Sequence, residues 1–154
     1  MPSYSKTSKR NLATCHPDLV VLFNYIIQYV DCSVVYGQRT PEVQFGLYKK
    51  GREFINGKWV KTGNIWTNCD GYEKKSNHNM EPLSHAADVI RYPVDWEDYE
   101  RMRHFAGYVL GWAAALREAG EIEHEIVCGV DWDGDFDLDD QSFLDLPHYQ
   151  IVVP

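Results

Sequence analysis

Apolar residues recur at helical spacing from Leu19 through Leu22, Phe23, Ile26 and Ile27 to Val30, with Pro17-Asp18 just ahead of them. Proline suits the first helical turn, where its missing N–H has no partner to lose, so the pattern predicts a helix opening near Pro17. Ser33–Tyr36 predicts a short strand ended by Gly37. A second helix is predicted from Thr40-Pro41-Glu42 through Leu47 to about Lys50, with Thr40 as N-cap and Pro41 as its first residue. Gly51 to Lys75 reads mostly as loop, punctuated by Asn56-Gly57, Gly63 and Asp70-Gly71. The apolar core of His85–Arg91 predicts a strand. The longest helix is expected from Trp96 to about Ala119, with Met102, Phe105, Val109, Trp112 and Leu116 on one face and Gly120 just past its end. Ile126–Val130 and His148–Val153 predict two further strands. There is no internal repeat and no low-complexity linker. Short strands mixed with segregated helices predict an α+β domain, a small and mainly antiparallel sheet packed with helices.

A length of 154 residues fits one domain, with Met1–Asn11 expected as a flexible segment ahead of it. The formal net charge of -8 argues against general nucleic-acid binding, which needs a basic face, and basic runs such as Lys74-Lys75 are short. The four cysteines, Cys15, Cys32, Cys69 and Cys128, form no C-x-x-C pair and read as reduced or partly buried thiols. No apolar stretch follows the polar start of the chain, so no signal peptide is expected. Leu19–Val30 is too short to span a bilayer and carries Asn24 and Gln28, so no membrane insertion is expected.

Six aspartates fall between Asp131 and Asp140, which changes the picture locally. One reading is a solvated acidic loop. The other is a calcium loop, because Asp131, Asp133, Asp135, Asp137 and Asp139 recur at the odd positions that supply oxygens in an EF-hand-like turn. Phe136 stands where such a loop wants glycine, and no glutamate occupies the twelfth position, so it is not an EF-hand proper.

Three segments hold residues of metal-binding type: Ser76-Asn77-His78-Asn79, Ser84-His85-Ala86-Ala87-Asp88 and Asp145-Leu146-Pro147-His148. A catalytic zinc site needs three protein ligands and an open position, and two histidines with one carboxylate make a suitable set. A nearby carboxylate must also carry a proton from the attacking water to the leaving amine. Asp145, three residues before His148, can reach that position if Pro147 bends the chain.

The run from Ser76 to Val89 resembles the S-x-H-N-x-x-P-S-x-A-x-D-V motif of phage and bacterial peptidoglycan peptidases, the L-alanyl-D-glutamate endopeptidases and D-alanyl-D-alanine carboxypeptidases. Tyr92-Pro93-Val94-Asp95-Trp96 fits that group's Y-P-x-D-W continuation. Gly37–Gln44 resembles its G-x-R-T-x-x-x-Q segment. Gly129–Asp133 and Asp145–Gln150 resemble its G-x-D-W-D and D-x-P-H-F-E/Q segments, so the likeness covers roughly residues 12–153.

The resemblance implies a zinc peptidase with its metal in a surface cleft, held by His78, Asp88 and His148. Asp145 would be the general base, and Arg39 would stabilise the oxyanion. Gln44, Ser76, Tyr149 and Trp132 would support the site or line the cleft, as would Tyr92. Two departures stand out. Leu83 is an extra residue between Pro82 and Ser84, which brings His85 in as a competing ligand. Gln150 replaces the usual Glu, at a position expected to orient rather than to catalyse. His16, His104 and His124 carry no such pattern and read as surface or packing residues, and Trp96, Trp112 and Phe105 read as core.

The implied activity is cleavage of a stem-peptide bond, with L-alanyl-D-glutamate endopeptidase favoured over D-alanyl-D-alanine carboxypeptidase. The implied setting is a phage endolysin, a monomer in the host bacterial cytoplasm before lysis, with peptidoglycan as its partner and no separate wall-binding domain. The hedgehog signalling domain shares this kind of zinc site as a binding module, but retention of Asp145 and Arg39 favours catalysis. A calcium-binding structural protein would explain the acidic loop and leave the other three segments unexplained.

Overall fold

In a computed structural model describing residues Met1–Pro154, the chain runs through α1 (Lys6–Leu12), α2 (Pro17–Ile26), β1 (Cys32–Tyr36), α3 (Pro41–Lys49), β2 (Arg52–Ile55) and β3 (Lys58–Lys61). A 3-10 turn over Asn77–Asn79 follows, then β4 (Ala86–Arg91), α4 (Tyr99–Glu118), β5 (Ile126–Gly129) and β6 (Asp145–Ile151). The main sheet has the order β1-β4-β6-β5 with every neighbouring pair antiparallel, so the chain folds as the expected α+β class.

Strand pleating divides this sheet into two faces with different uses, because successive side chains point to opposite sides. Ala87 and Val89 of β4 and Tyr149 and Ile151 of β6 join the core, where Leu19, Phe23, Phe105 and Val109 of α2 and α4 cover them. Asp88, His148 and Gln150 alternate with these residues and so look the other way, toward the segment between β1 and β4. The helices therefore anchor one face while the opposite face carries polar chemistry. Each large apolar side chain buried under α2 and α4 contributes about 1.5–3 kcal/mol.

Several expectations need correction. Met1–Asn11 is not a loose segment. Ser5 caps α1, with Ser8 N–H donating to Ser5 Oγ at 3.1 Å, and the Tyr4 hydroxyl donates to the Phe23 carbonyl at 2.7 Å. So short a helix has little stability alone and is held by docking, which leaves no long periodic pattern to read. The Gly51–Lys75 stretch contains the β2–β3 hairpin, turning at Asn56 (φ 50) and Gly57 (φ 77). Positive φ at both central residues is the two-residue hairpin geometry that Asn-Gly favours. Trp96 precedes α4, which starts at Tyr99 behind the Asp98 cap, and is about half exposed rather than core. The last strand starts at Asp145, not His148. The four cysteines are free, as read from their spacing.

Candidate metal centre

His78 is positioned by the backbone around it. Ser76 caps the 3-10 turn, accepting His78 N–H at 3.0 Å, while the Asn79 side chain accepts Ser76 N–H at 3.0 Å. The Asn79 amide donates to the Arg39 carbonyl at 2.9 Å, and Arg39 N–H donates to the His78 carbonyl at 2.8 Å. This zips the turn to the loop after β1. His78 Nδ1 then donates to the Gly37 carbonyl at 2.7 Å. Gly37 cannot carry a side chain there, because a Cβ would collide with the Asn11 carbonyl and the Thr14 hydroxyl.

Asp88 and His148 are directly paired across β4 and β6. His148 Nε2 donates to Gln150 Oε1 at 2.8 Å, and the same oxygen accepts from Asn77 Nδ2 at 2.7 Å. With Nδ1 of His78 and Nε2 of His148 protonated for these bonds, the other two ring nitrogens present lone pairs. His78 Nε2, His148 Nδ1 and Asp88 Oδ1 form a buried triangle with sides of 3.1, 3.2 and 3.3 Å. Three acceptors so close need a shared cation, either a proton or a metal ion. Donors about 2.0–2.1 Å from a tetrahedral ion stand roughly 3.3 Å apart, so both the spacing and the donor set suit a metal. Burial lowers the His78 pKa against the pull of Asp88. Burial also opposes protonation of His148, but its hydrogen bond to Asp88 and the charge of Asp88 outweigh this and raise its pKa. Burial likewise works against the Asp88 anion, yet the two histidines hold its carboxyl well below the usual range.

Arg39 pairs through Nη2 with the outer oxygen of Asp88, Oδ2, and lies over the Tyr36 ring at 4.3 Å. Its Nη1 reaches Gln44 Oε1 at 3.5 Å. Gln44 is fully buried and donates to Thr67 Oγ1 and the Cys69 carbonyl, tying α3 to the following loop. Asp145 Oδ2 lies 3.9 Å from His148 Nδ1. Burial and the negative charge of Asp88 raise the Asp145 pKa to about 6, against the opposing charges of His148 and Arg39. Residues three apart on a regular strand would face opposite sides. A register irregularity answers this: Cys128 pairs with Tyr149, but the next residue, Gly129, pairs with Asp145. The displaced segment of β6 brings Asp145 and His148 to one cleft.

That cleft has a volume of about 510 Å³ and is bounded by Tyr36, Trp66, Trp96, Trp132 and Phe143, with Lys50 and Lys75 at its edge. Trp132 rests against His148 with ring centroids 5.0 Å apart, and its Nε1 donates to the Phe143 carbonyl at 2.6 Å. Tyr149 does not line the cleft. It is fully buried on the core face against Phe23, with ring centroids 5.3 Å apart. Tyr92 is exposed and stands outside the cleft wall. His85 is not part of the triangle and turns its ring toward His16 at 6.0 Å. In the acidic loop, Asp131, Asp133 and Asp135 come together, with Asp131 buried, while Asp137 and Asp139 lie outside that group. Sequence reasoning missed Gly37, Trp96, Lys50 and Lys75. Trp66 was missed too, since an exposed loop tryptophan carries no periodic signal.

The fold and the triangle together define a class, an α+β domain with a buried group of two histidines and one carboxylate that could hold a metal ion in an aromatic cleft. No protein-family model matches the chain, and no curated protein matches it. Among solved structures, the crystal structure of Serratia marcescens L-Ala D-Glu endopeptidase ChiX shares the fold, with a TM-score of 0.65 and 25% sequence identity. The alignment covers 99% of this chain and 92% of that chain. The resemblance to endopeptidases of this specificity is thus met by a solved structure over the whole domain.

Proposed function

We propose that this protein is a zinc-dependent peptidoglycan hydrolase that cuts the L-alanyl-D-glutamate bond of stem peptides. The observation that carries the proposal is the buried triangle of His78, Asp88 and His148 with Asp145 beside it. The fold shared with an L-Ala D-Glu endopeptidase supports the reaction class. Zinc bound to the triangle would polarise the scissile carbonyl and acidify the attacking water. Gly37 and Gln150 fix the outer nitrogens of the two imidazoles, which keeps the inner nitrogens deprotonated for the ion. Asp145 takes the proton from water and delivers it to the leaving amine, a role suited to a carboxyl with a pKa near neutrality. Arg39 holds Asp88 through Oδ2 and adds positive charge where the tetrahedral oxyanion develops. The aromatic wall orients the stem peptide. Trp132 is supported in this role by its contact with His148.

Digestion of purified peptidoglycan, read by mass spectrometry, tests the proposal. New D-glutamate amino termini are the expected product. Released D-alanine would instead identify a carboxypeptidase, and a zinc-loaded protein that cuts no peptidoglycan would favour a hedgehog-like binding role. Asp145→Ala should retain zinc and lose turnover by about 10²–10⁴-fold. Full activity in that variant would remove Asp145 from its assigned role.

The finer biological reading is a phage endolysin, supported by the motif resemblance to compact lysis enzymes. No helix is long and apolar enough to cross a membrane. Turbidity of permeabilised host cells should fall on addition of the protein. We also assign calcium to Asp131, Asp133 and Asp135, supported by the approach of their ligand oxygens to within 4.8 Å of one another. Calorimetry that detects no calcium binding would remove this ion.

A further inference from the structure

His16 and His124, read from sequence as surface or packing residues, meet at Asp18 away from the cleft. His16 is the N-cap of α2, and His124 lies in the connection between α4 and β5. His85, just ahead of β4, packs its ring beside them. None of the four lines the cleft around the first triangle.

We propose that His16, Asp18 and His124 form a second site for a divalent transition metal of the kind that imidazole binds. Each residue offers a ligand atom within 4.8 Å of the other two, and the donor set repeats the two histidines and one carboxylate of the first triangle. The ring geometry repeats as well. His16 and His124 have centroids 4.9 Å apart at 79°, against 5.1 Å and 72° for His78 and His148.

The two Asp18 oxygens have different surroundings. Oδ2 accepts from Glu123 N–H, His124 N–H and His124 Nδ1, at 3.0, 2.8 and 2.8 Å. Oδ1 faces His16 Nδ1 at 3.9 Å, beyond hydrogen-bond range. His124 Nδ1 and Asp18 Oδ2 thus lie as close as a ligand pair of the first triangle, 2.8 Å against 3.1 Å for His78 Nε2 and Asp88 Oδ1, and an ion bound there would take the place of the Nδ1 proton. A structural tether needs only Asp18 and the 123–124 backbone. It does not account for three imidazoles gathered at one place.

The 3.9 Å between His16 Nδ1 and Asp18 Oδ1 is wider than any side of the first triangle. His16 Nδ1 also accepts Asp18 N–H at 3.2 Å, a bond that metal ligation there would displace. Both features make this site the weaker of the two. The His16 and His124 rings are about one quarter exposed, which leaves them room to close on an ion. Bound metal would clamp the start of α2 to the connection that leads into β5.

Zinc titration of chelator-treated full-length protein, by calorimetry with elemental analysis, tests the inference. Wild type is expected to take up a weaker zinc equivalent beyond the one at His78, Asp88 and His148. His148→Ala should keep the weaker equivalent, so its fate is separable from that of the catalytic reading. His124→Gln and His16→Asn should each lose it. Asparagine is itself a strong N-cap, so His16→Asn preserves the start of α2 and decides the matter if His124→Gln fails to fold. No zinc uptake by His148→Ala, or a weaker equivalent that persists in His16→Asn, would overturn the site.

Discussion

At the scale of single residues, the inner nitrogens of the triangle depend on partners at the outer ones. Gln150 is the clearest case. Its amide oxygen accepts from both His148 Nε2 and Asn77 Nδ2, so one side chain fixes the His148 ring and the turn beside His78. Gln150→Ala should weaken zinc affinity about 10–100-fold while leaving the fold intact, measured by competition with a chromophoric chelator. Tyr149 offers a contrasting prediction. Its hydroxyl is buried without a hydrogen-bond partner in the core. Tyr149→Phe removes an unsatisfied polar group and should raise stability by about 1 kcal/mol in urea denaturation. That His78, Asp88 and His148 would meet was legible through the motif resemblance, because residue type and a D-x-x-H spacing alone fit many surface pairs. Tyr149 was misread because its neighbour His148 faces the cleft, and the pleat turns the next residue into the core.

Elements show why spacing along the chain was a partial guide. The sequence places Asp145 ahead of the last strand and lets Pro147 bend it toward the metal. In the structure Asp145 already pairs with Gly129, and the register irregularity between β5 and β6 performs the re-aiming. A bulge of this kind has no residue signature of its own, but it leaves a trace in Gly129. A Cβ at Gly129 would collide with the Asp145 carbonyl. Gly129→Ala should therefore displace Asp145 and lower kcat more than it lowers zinc content, since His148 keeps its pairing with Asp88 on the other side. Equal loss of both would show that the irregularity positions the whole strand rather than the proton carrier. The strong helices α2, α3 and α4 were legible because caps and apolar periodicity agreed. The β2–β3 hairpin was not, because both its strands are largely exposed and lack a buried alternating face.

Across the whole molecule, distant segments meet through polar contacts on buried or half-buried side chains, and acid should reveal them. Asp18 ties the start of α2 to Glu123 and His124, more than a hundred residues later. Burial works against its ionisation, but the hydrogen bonds from His124 and Glu123 and the charge of His16 prevail and lower its pKa. A carboxyl whose folded pKa lies below its unfolded value contributes stability that is complete above the unfolded value, about 3.9. That contribution is lost as pH falls from there through the folded pKa. Metal-free protein should therefore lose stability below about pH 4 through this group, and Asp18→Asn should flatten that part of the profile. The measurement is Tm against pH in the presence of chelator, so that no bound metal contributes. His16 and His124 are the titratable side chains that face this carboxyl. A profile for Asp18→Asn that still matches wild type below pH 4 would show that the connection between α2 and β5 is held by packing and not by the carboxylate.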